Sequence, residues 1–141
     1  MSLRAWTIRD RLLLTPLAQH HGCALLALRL ITGTFLVHGV WDNVTSSVRM
    51  DEFAAFMTQH GFAPAAFWAP VSVYAQLAIG LCLVLGLATR WAGLACAGHF
   101  VVAWAMVHLH DEFRAAWPAL ALIAIGLVLA TGGPGRAAVD G

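Results

Sequence analysis

The sequence predicts an all-α membrane protein: a four-transmembrane-helix antiparallel bundle with a short amphipathic external helix between the first two spans. Three observations predict it. Of the 141 residues 60% are apolar and only 11% charged, against about a quarter charged in a soluble domain, and the mean hydropathy is +0.77. Four stretches, residues 22–41, 71–89, 91–108 and 117–133, satisfy the roughly 17–25 predominantly apolar residues that the hydrocarbon core requires. The connections after the second and third stretches are short, so consecutive spans there must run antiparallel.

Each element has its own reasons. In residues 3–16, Leu3, Trp6 and Leu12 to Leu14 alternate with Arg4, Arg9 and Arg11, the pattern of a segment lying in the membrane interface before the chain enters. A secretory signal is a poor reading, because the run "LLLTPLA" is short, contains Pro16 and gives way to "QHHG". The first span carries Arg29 and His38. Backbone groups in lipid must be satisfied within the segment, so this and the other spans read as helices. The external connection, residues 42–70, holds the amphipathic helix at 47–60: Ser46 or Ser47 caps it, Met50, Phe53, Phe56 and Met57 form its apolar face, and Gly61 ends it before Pro64. It is expected to lie as a lid on the outer surface. Phe67, Trp68 and Tyr74 then form an aromatic belt. The second and third spans join around Thr89 and Arg90, and "HLHDEFRAAWP" joins the third to the fourth, with Pro118 in the first turn of the last helix. "TGGPGR" ends that helix. Glycine and alanine inside the spans permit close helix contact, and no internal repeat is evident.

All eight basic residues are arginine. Arg4, Arg9, Arg11, Arg90 and Arg136 fall on one side of four spans and Arg49 and Arg114 on the other, so the positive-inside rule places both termini in the cytoplasm. A net charge of +1, with no basic run or aromatic ladder, sets nucleic acid aside as a partner. Cys23, Cys82 and Cys96 are isolated, with no CxxC, so a disulfide-generating enzyme finds no support.

Ionisable groups in a bilayer must face the bundle interior or reach an interface, which makes Arg29, His38, Gln76, His99 and His108 informative. Arg29 lies about 10 Å into the first helix and is expected to snorkel to the cytoplasmic headgroups. His99, near mid-membrane, is expected to make an interhelical hydrogen bond. At about 100° per residue, His38 lies nearly opposite Arg29 and shares a face with Thr34 and Asp42. On the third helix Trp104, His108 and Glu112 share one face and His99, Met106 and His110 the other. The pairs His38 with Asp42 and His108 with Glu112 emerge at the same membrane surface, with Gln76 at similar depth. Together, His38, Asp42, Gln76, Trp104, His108 and Glu112 read as a polar ligand-binding pocket at the outer mouth of the bundle. A histidine oriented by a carboxylate can donate to a carbonyl and pass a proton as that carbonyl is reduced, which points to a quinone. No HExxH, CxxC or carboxylate-x-x-His pattern supports a metal. The bland alternative is that each pair caps its helix or meets interfacial water.

Three segments, "LRLITGTFLVHG" from Leu28, "QLAIGLCLVLGLATR" from Gln76 and "GGPGRAAVD" from Gly132, resemble the DoxX-like small membrane proteins in order and spacing. Arg29, Gly33, His38, Gly39, Gly80, Gly86 and Arg90 match that family's pattern. The resemblance implies a bacterial inner-membrane protein of four helices, associated with quinone-linked or oxidative-stress oxidoreductases. The sequence departs from the family where a glutamate is common, at Gln76, which cannot ionise, and where a lysine often follows the HG motif, at Asp42 and Asn43. The function so implied is a quinone-interacting or redox-associated membrane subunit. The alternatives are a non-catalytic anchor or assembly partner for a membrane or soluble oxidoreductase and, with no inverted repeat or broken helix visible, a small transporter.

Overall fold

The computed structural model describes residues 7–140, all of whose regular structure is helical. α1 (Ile8–Leu12) is a single turn, closed by a capping box in which Thr7 Oγ1 accepts from the Asp10 amide and Asp10 accepts from the Thr7 amide. It leaves Ile8, Leu12, Leu13 and Leu14 exposed. Of the interfacial segment expected at 3–16, Leu3, Arg4 and Trp6 lie outside the described residues. A 3-10 turn (Thr15–His20) leads into α2 (His21–Thr45). Then follow α3 (Ser47–Gln59), capped by Ser46, and α4 (Ala65–Leu85). α5 (Thr89–Ala103) ends in a π-helical turn (Trp104–His108) before α6 (Phe113–Gly132). Four helical segments, Thr15–Thr45, Ala65–Leu85, Thr89–His108 and Phe113–Gly132, are long and apolar enough to cross a membrane.

Several boundaries differ from the sequence expectation: α2 continues to Thr45 and α4 begins at Ala65, and two further differences have clear physical reasons. The second span stops at Leu85, because Gly86 (φ +68°) takes the left-handed conformation that closes a helix. The Leu87 amide donates to Cys82 O and the Gly86 amide to Leu83 O, so Thr89 opens α5 rather than ending α4. The last helix begins at Phe113, not Trp117, so Pro118 sits in its second turn rather than its first.

Packing is closest in two helix pairs, α2 with α4 and α5 with α6. Each pair crosses at two glycines. A Cβ on Gly33 would lie 2.8 Å from Gly80 O, and one on Gly93 would lie 2.6 Å from Gly126 O. Backbone therefore meets backbone at both crossings, where dispersion contact and not water release drives association in lipid. Between the pairs run Leu25, Leu36, Ile79, Leu83, Cys96, Leu122 and Leu129, all buried. α4 and α5 make fewer contacts with each other than either does within its own pair, and α3 lies across the far end against α2 and α4.

The end that carries α2's start and the C-terminal segment is stitched by that segment. Helix ends leave orphan amides and carbonyls, and here the C-terminal segment and Arg90 meet several of them. The Val139 and Asp140 amides donate to Leu85 O and Gly86 O, and the Arg136 amide to Gly22 O. The Asp140 carboxylate accepts from the Ala88 and Thr89 amides, each at 2.6 Å, opposite the positive end of the α5 dipole. Arg90 Nη1 donates to Ala130 O and Thr131 O, closing α6.

Arg29 does not snorkel. It is 1% exposed, and its Nη2 donates to Ala137 O at 2.7 Å and Arg136 O at 3.4 Å. Acceptors brought back beneath the bundle by the C-terminal segment replace the headgroups it was expected to seek, and the Asp140 charge lies near enough to be held down by it.

The Thr89 amide above all, with the Ala88 amide and Arg29 adding less, holds the Asp140 carboxyl below the usual carboxylate range against the opposing effect of burial. A depressed value in the folded state means that its contribution to stability is full above the usual range and is lost as pH falls through the folded value. Protection of amides 88 and 89 against hydrogen exchange, taken relative to the intrinsic rate at each pH, is therefore expected to fall only in acid. In Asp140→Asn the same amides should exchange fast at neutral pH; equal protection in both proteins would remove the carboxylate from this account.

Candidate functional site

A cavity of about 420 Å³ opens between α4 and α5 at the end opposite the C-terminal segment. Its roof is α3, whose amphipathic pattern turns Phe53, Phe56 and Met57 onto the bundle. Met57 is 5% exposed, the one buried residue of that helix. One wall is the α4 face at helical spacing, Trp68, Ser72, Ala75 and Gln76, and the other is α5 with Gly98, His99, Val102 and Ala103. The lining is apolar except for Ser72, Gln76, His99 and His108.

Gln76 ties this wall to α2, its partner in the first helix pair. Its Nε2 donates to Leu36 O on α2 at 3.2 Å, and Gly39 makes room, since a Cβ there would stand 3.3 Å from that nitrogen. His99 is half-buried with its ring edge-on to Phe100, centroids 5.1 Å apart. The interhelical hydrogen bond expected of it does not form among the described residues; the ring lines the cavity instead.

The π turn at Trp104–His108 sets the upper rim. One extra residue per turn retards the helical phase, so Trp104, His108 and Glu112 no longer fall on one face. Val107 and His108 reach the cavity while Trp104 does not. His108 Nδ1 pairs with Asp111 Oδ2 at 2.8 Å, not with Glu112. The helix has ended by then, and Glu112 is the exposed residue whose carbonyl accepts from the Ala115 and Ala116 amides at the start of α6.

The sequence-predicted residues thus divide. Gln76 and His108 share the cavity. His38 and Asp42 are exposed on the other side of α2, His38 in a shallow surface groove with Thr34, Val37, Trp41, Leu81 and Val84. The opposition of Arg29 and His38 around the helix was legible in the sequence. Which of the two faces inward was not: α2 buries Leu25, Arg29, Thr32, Gly33, Leu36 and Val40, and that stripe excludes His38. Ser72 was missed, although it precedes Gln76 by one helical turn and shares its face, and His99 was not grouped with the ligand set. Among the described residues no group of three histidine, cysteine or carboxylate side chains is placed to hold a metal ion.

Such a cavity can take up a small apolar molecule whose polar atoms meet an amide, a hydroxyl and two imidazoles, the usual composition of a small-molecule site. No curated protein and no solved structure matches the chain. The sequence model of the DoxX family matches residues 24–109, a segment that contains every residue lining the cavity. With more than half of its length so matched, this four-span membrane protein belongs to the DoxX family.

Proposed function

We propose that the α4–α5 cavity binds a quinone-like ligand and that the protein serves as a redox-associated subunit of a bacterial inner membrane, both termini in the cytoplasm. The observation that carries this reading is the set Ser72, Gln76, His99 and His108 in an otherwise apolar cavity of about 420 Å³. A bound quinone would supply carbonyl oxygens able to take up electrons and protons. The chain's own residues position it and handle protons. His99 donates from mid-membrane depth; Gln76, held by Leu36 O, offers its amide but cannot ionise. His108 is oriented through Nδ1 by Asp111, which leaves Nε2 free to donate when the ring is protonated and to accept afterwards. The electrons come from a partner oxidoreductase, whose presence also explains a second feature. His38 and Asp42 stand on an outward face of α2 beside exposed Trp41, and an imidazole facing lipid is costly without a partner. This favours a helix of that oxidoreductase against the groove, and an anchoring role as the second reading.

Quinone binding to protein in lipid nanodiscs separates the two. His99→Phe is expected to weaken binding at least about tenfold, the cost of a lost hydrogen bond in a dry site, with the thermal midpoint unchanged, while His38→Ala leaves binding intact. The opposite pattern would move the ligand to the α2 groove, and no binding by the wild type would leave the anchor reading alone.

A further inference from the structure

The cavity is roofed by α3 and has a gap at its side. Its roof, Phe53, Phe56 and Met57 from α3 with Phe62 after it, is apolar; Met57 is 5% exposed, and Phe56 turns partly outward at 41%. Its lateral edges are exposed: Val71 at 41% and Trp68 at 43% on α4, and Val102 at 51% on α5. Gly98 lies between them on α5, also exposed, and a Cβ built on it would meet no atom within 4 Å. These positions fall inside two of the helices long and apolar enough to cross a membrane, so in a bilayer the gap would open toward acyl chains. The gap follows from the packing, because α4 and α5 belong to different glycine-crossed pairs and are joined tightly only through the turn at Gly86.

We infer that the cavity is entered sideways from the bilayer, between α4 and α5 across Gly98, by a single-chain amphiphile whose compact polar head lodges at His99 and Gln76 while its apolar tail stays in the lipid. The inference rests on the ligand-binding reading above and adds the route and the shape of the ligand. A volume of about 420 Å³ is near the lower end of small-molecule sites, roughly 300–1,000 Å³. It accommodates a substituted ring but not a long chain as well, and the gap between α4 and α5 would lead into hydrocarbon, where a tail loses nothing by remaining. Placing the chain through the α3 roof would instead expose it to the aqueous surface.

The test compares two probes, a benzoquinone with a decyl tail and the same ring without one, binding to the full chain in phosphatidylethanolamine–phosphatidylglycerol nanodiscs. Gly98→Leu fills the gap without touching a polar group, and Val102→Trp narrows it from the opposite edge, at a side chain that is already exposed. Both positions also line the cavity, so the test is the difference between the probes: in both variants the tailed probe is expected to lose at least tenfold more affinity than the tail-less ring. Retention of both probes would overturn the lateral route. So would an equal loss of both with an unchanged thermal midpoint, since the gap would then belong to the head's own site. If neither probe binds the wild type, the ligand-binding reading itself fails, and the route with it; that outcome is distinct because it appears before any substitution is made.

Discussion

Gly126→Ala is expected to destabilise the bundle by about 1–3 kcal/mol, the range for overpacking a tight contact, and Gly126→Leu to leave no folded protein. The new Cβ would lie 2.6 Å from Gly93 O and 2.8 Å from the Ala97 amide nitrogen. Both are backbone atoms of α5, so no rotamer change relieves the contact and the helices must move apart. Separation forfeits the dispersion contacts along the most extensive interface of the bundle, in a solvent where no hydrophobic term compensates. Gly98→Ala is the control on the same helix pair, because its Cβ meets nothing within 4 Å and the glycine-to-alanine change favours a helix. Thermal unfolding in nanodiscs measures both; equal midpoints for Gly126→Ala and the wild type would mean that the crossing is looser than described.

Gly86→Ala should have the second large effect, about 3 kcal/mol or more from left-handed strain and a displaced charged hydrogen bond. At φ +68° an L side chain is strained. The Cβ would also fall on Arg29 Nη1 and come within 2.8 Å of Ala138 Cα. Something must leave, and the C-terminal segment is held by fewer contacts than the helix. Its departure strips Arg29 of both carbonyl partners and the α5 amides of Asp140. Trypsin reports the release, because Arg136 is exposed but its amide is bonded to Gly22 O in the closed state. Native protein is expected to resist cleavage at Arg136 and Gly86→Ala to be cut rapidly. Arg29→Ala added to Gly86→Ala should cost less than the sum of the two changes, since one clash is removed; strict additivity would show that Arg29 and Gly86 are independent.

Four apolar helices long enough to span a membrane and an amphipathic helix between the first two were readable from composition, run length and residue type; glycine was readable only as permitting close contact, and which glycines make the crossings was not. The lid's apolar face at Phe53, Phe56 and Met57 was readable too, because a period of 3.6 survives in any helix on any surface. The site was only partly legible. Gln76 and His108 reach the cavity, but His38, the most conspicuous polar group of the first span, faces outward, while Ser72 and His99 line the wall. A helical wheel gives angles between residues on one helix and says nothing of which angle points to the neighbours. The pairing of His108 failed for a related reason: the constant 100° step does not hold through the π turn at Trp104–His108, and Asp111 takes the place expected of Glu112.

Four helices long and apolar enough to cross a membrane follow from composition and run length alone, because burial of backbone in hydrocarbon demands such helices whatever their arrangement. Where the polar groups go depends on the packing. Arg29 finds carbonyls more than a hundred residues away in sequence, Asp140 caps a helix it does not adjoin, and α4 and α5 part to leave a cavity. Each of these depends on which helix faces meet, and apolar faces that are alike in composition do not encode their partners locally.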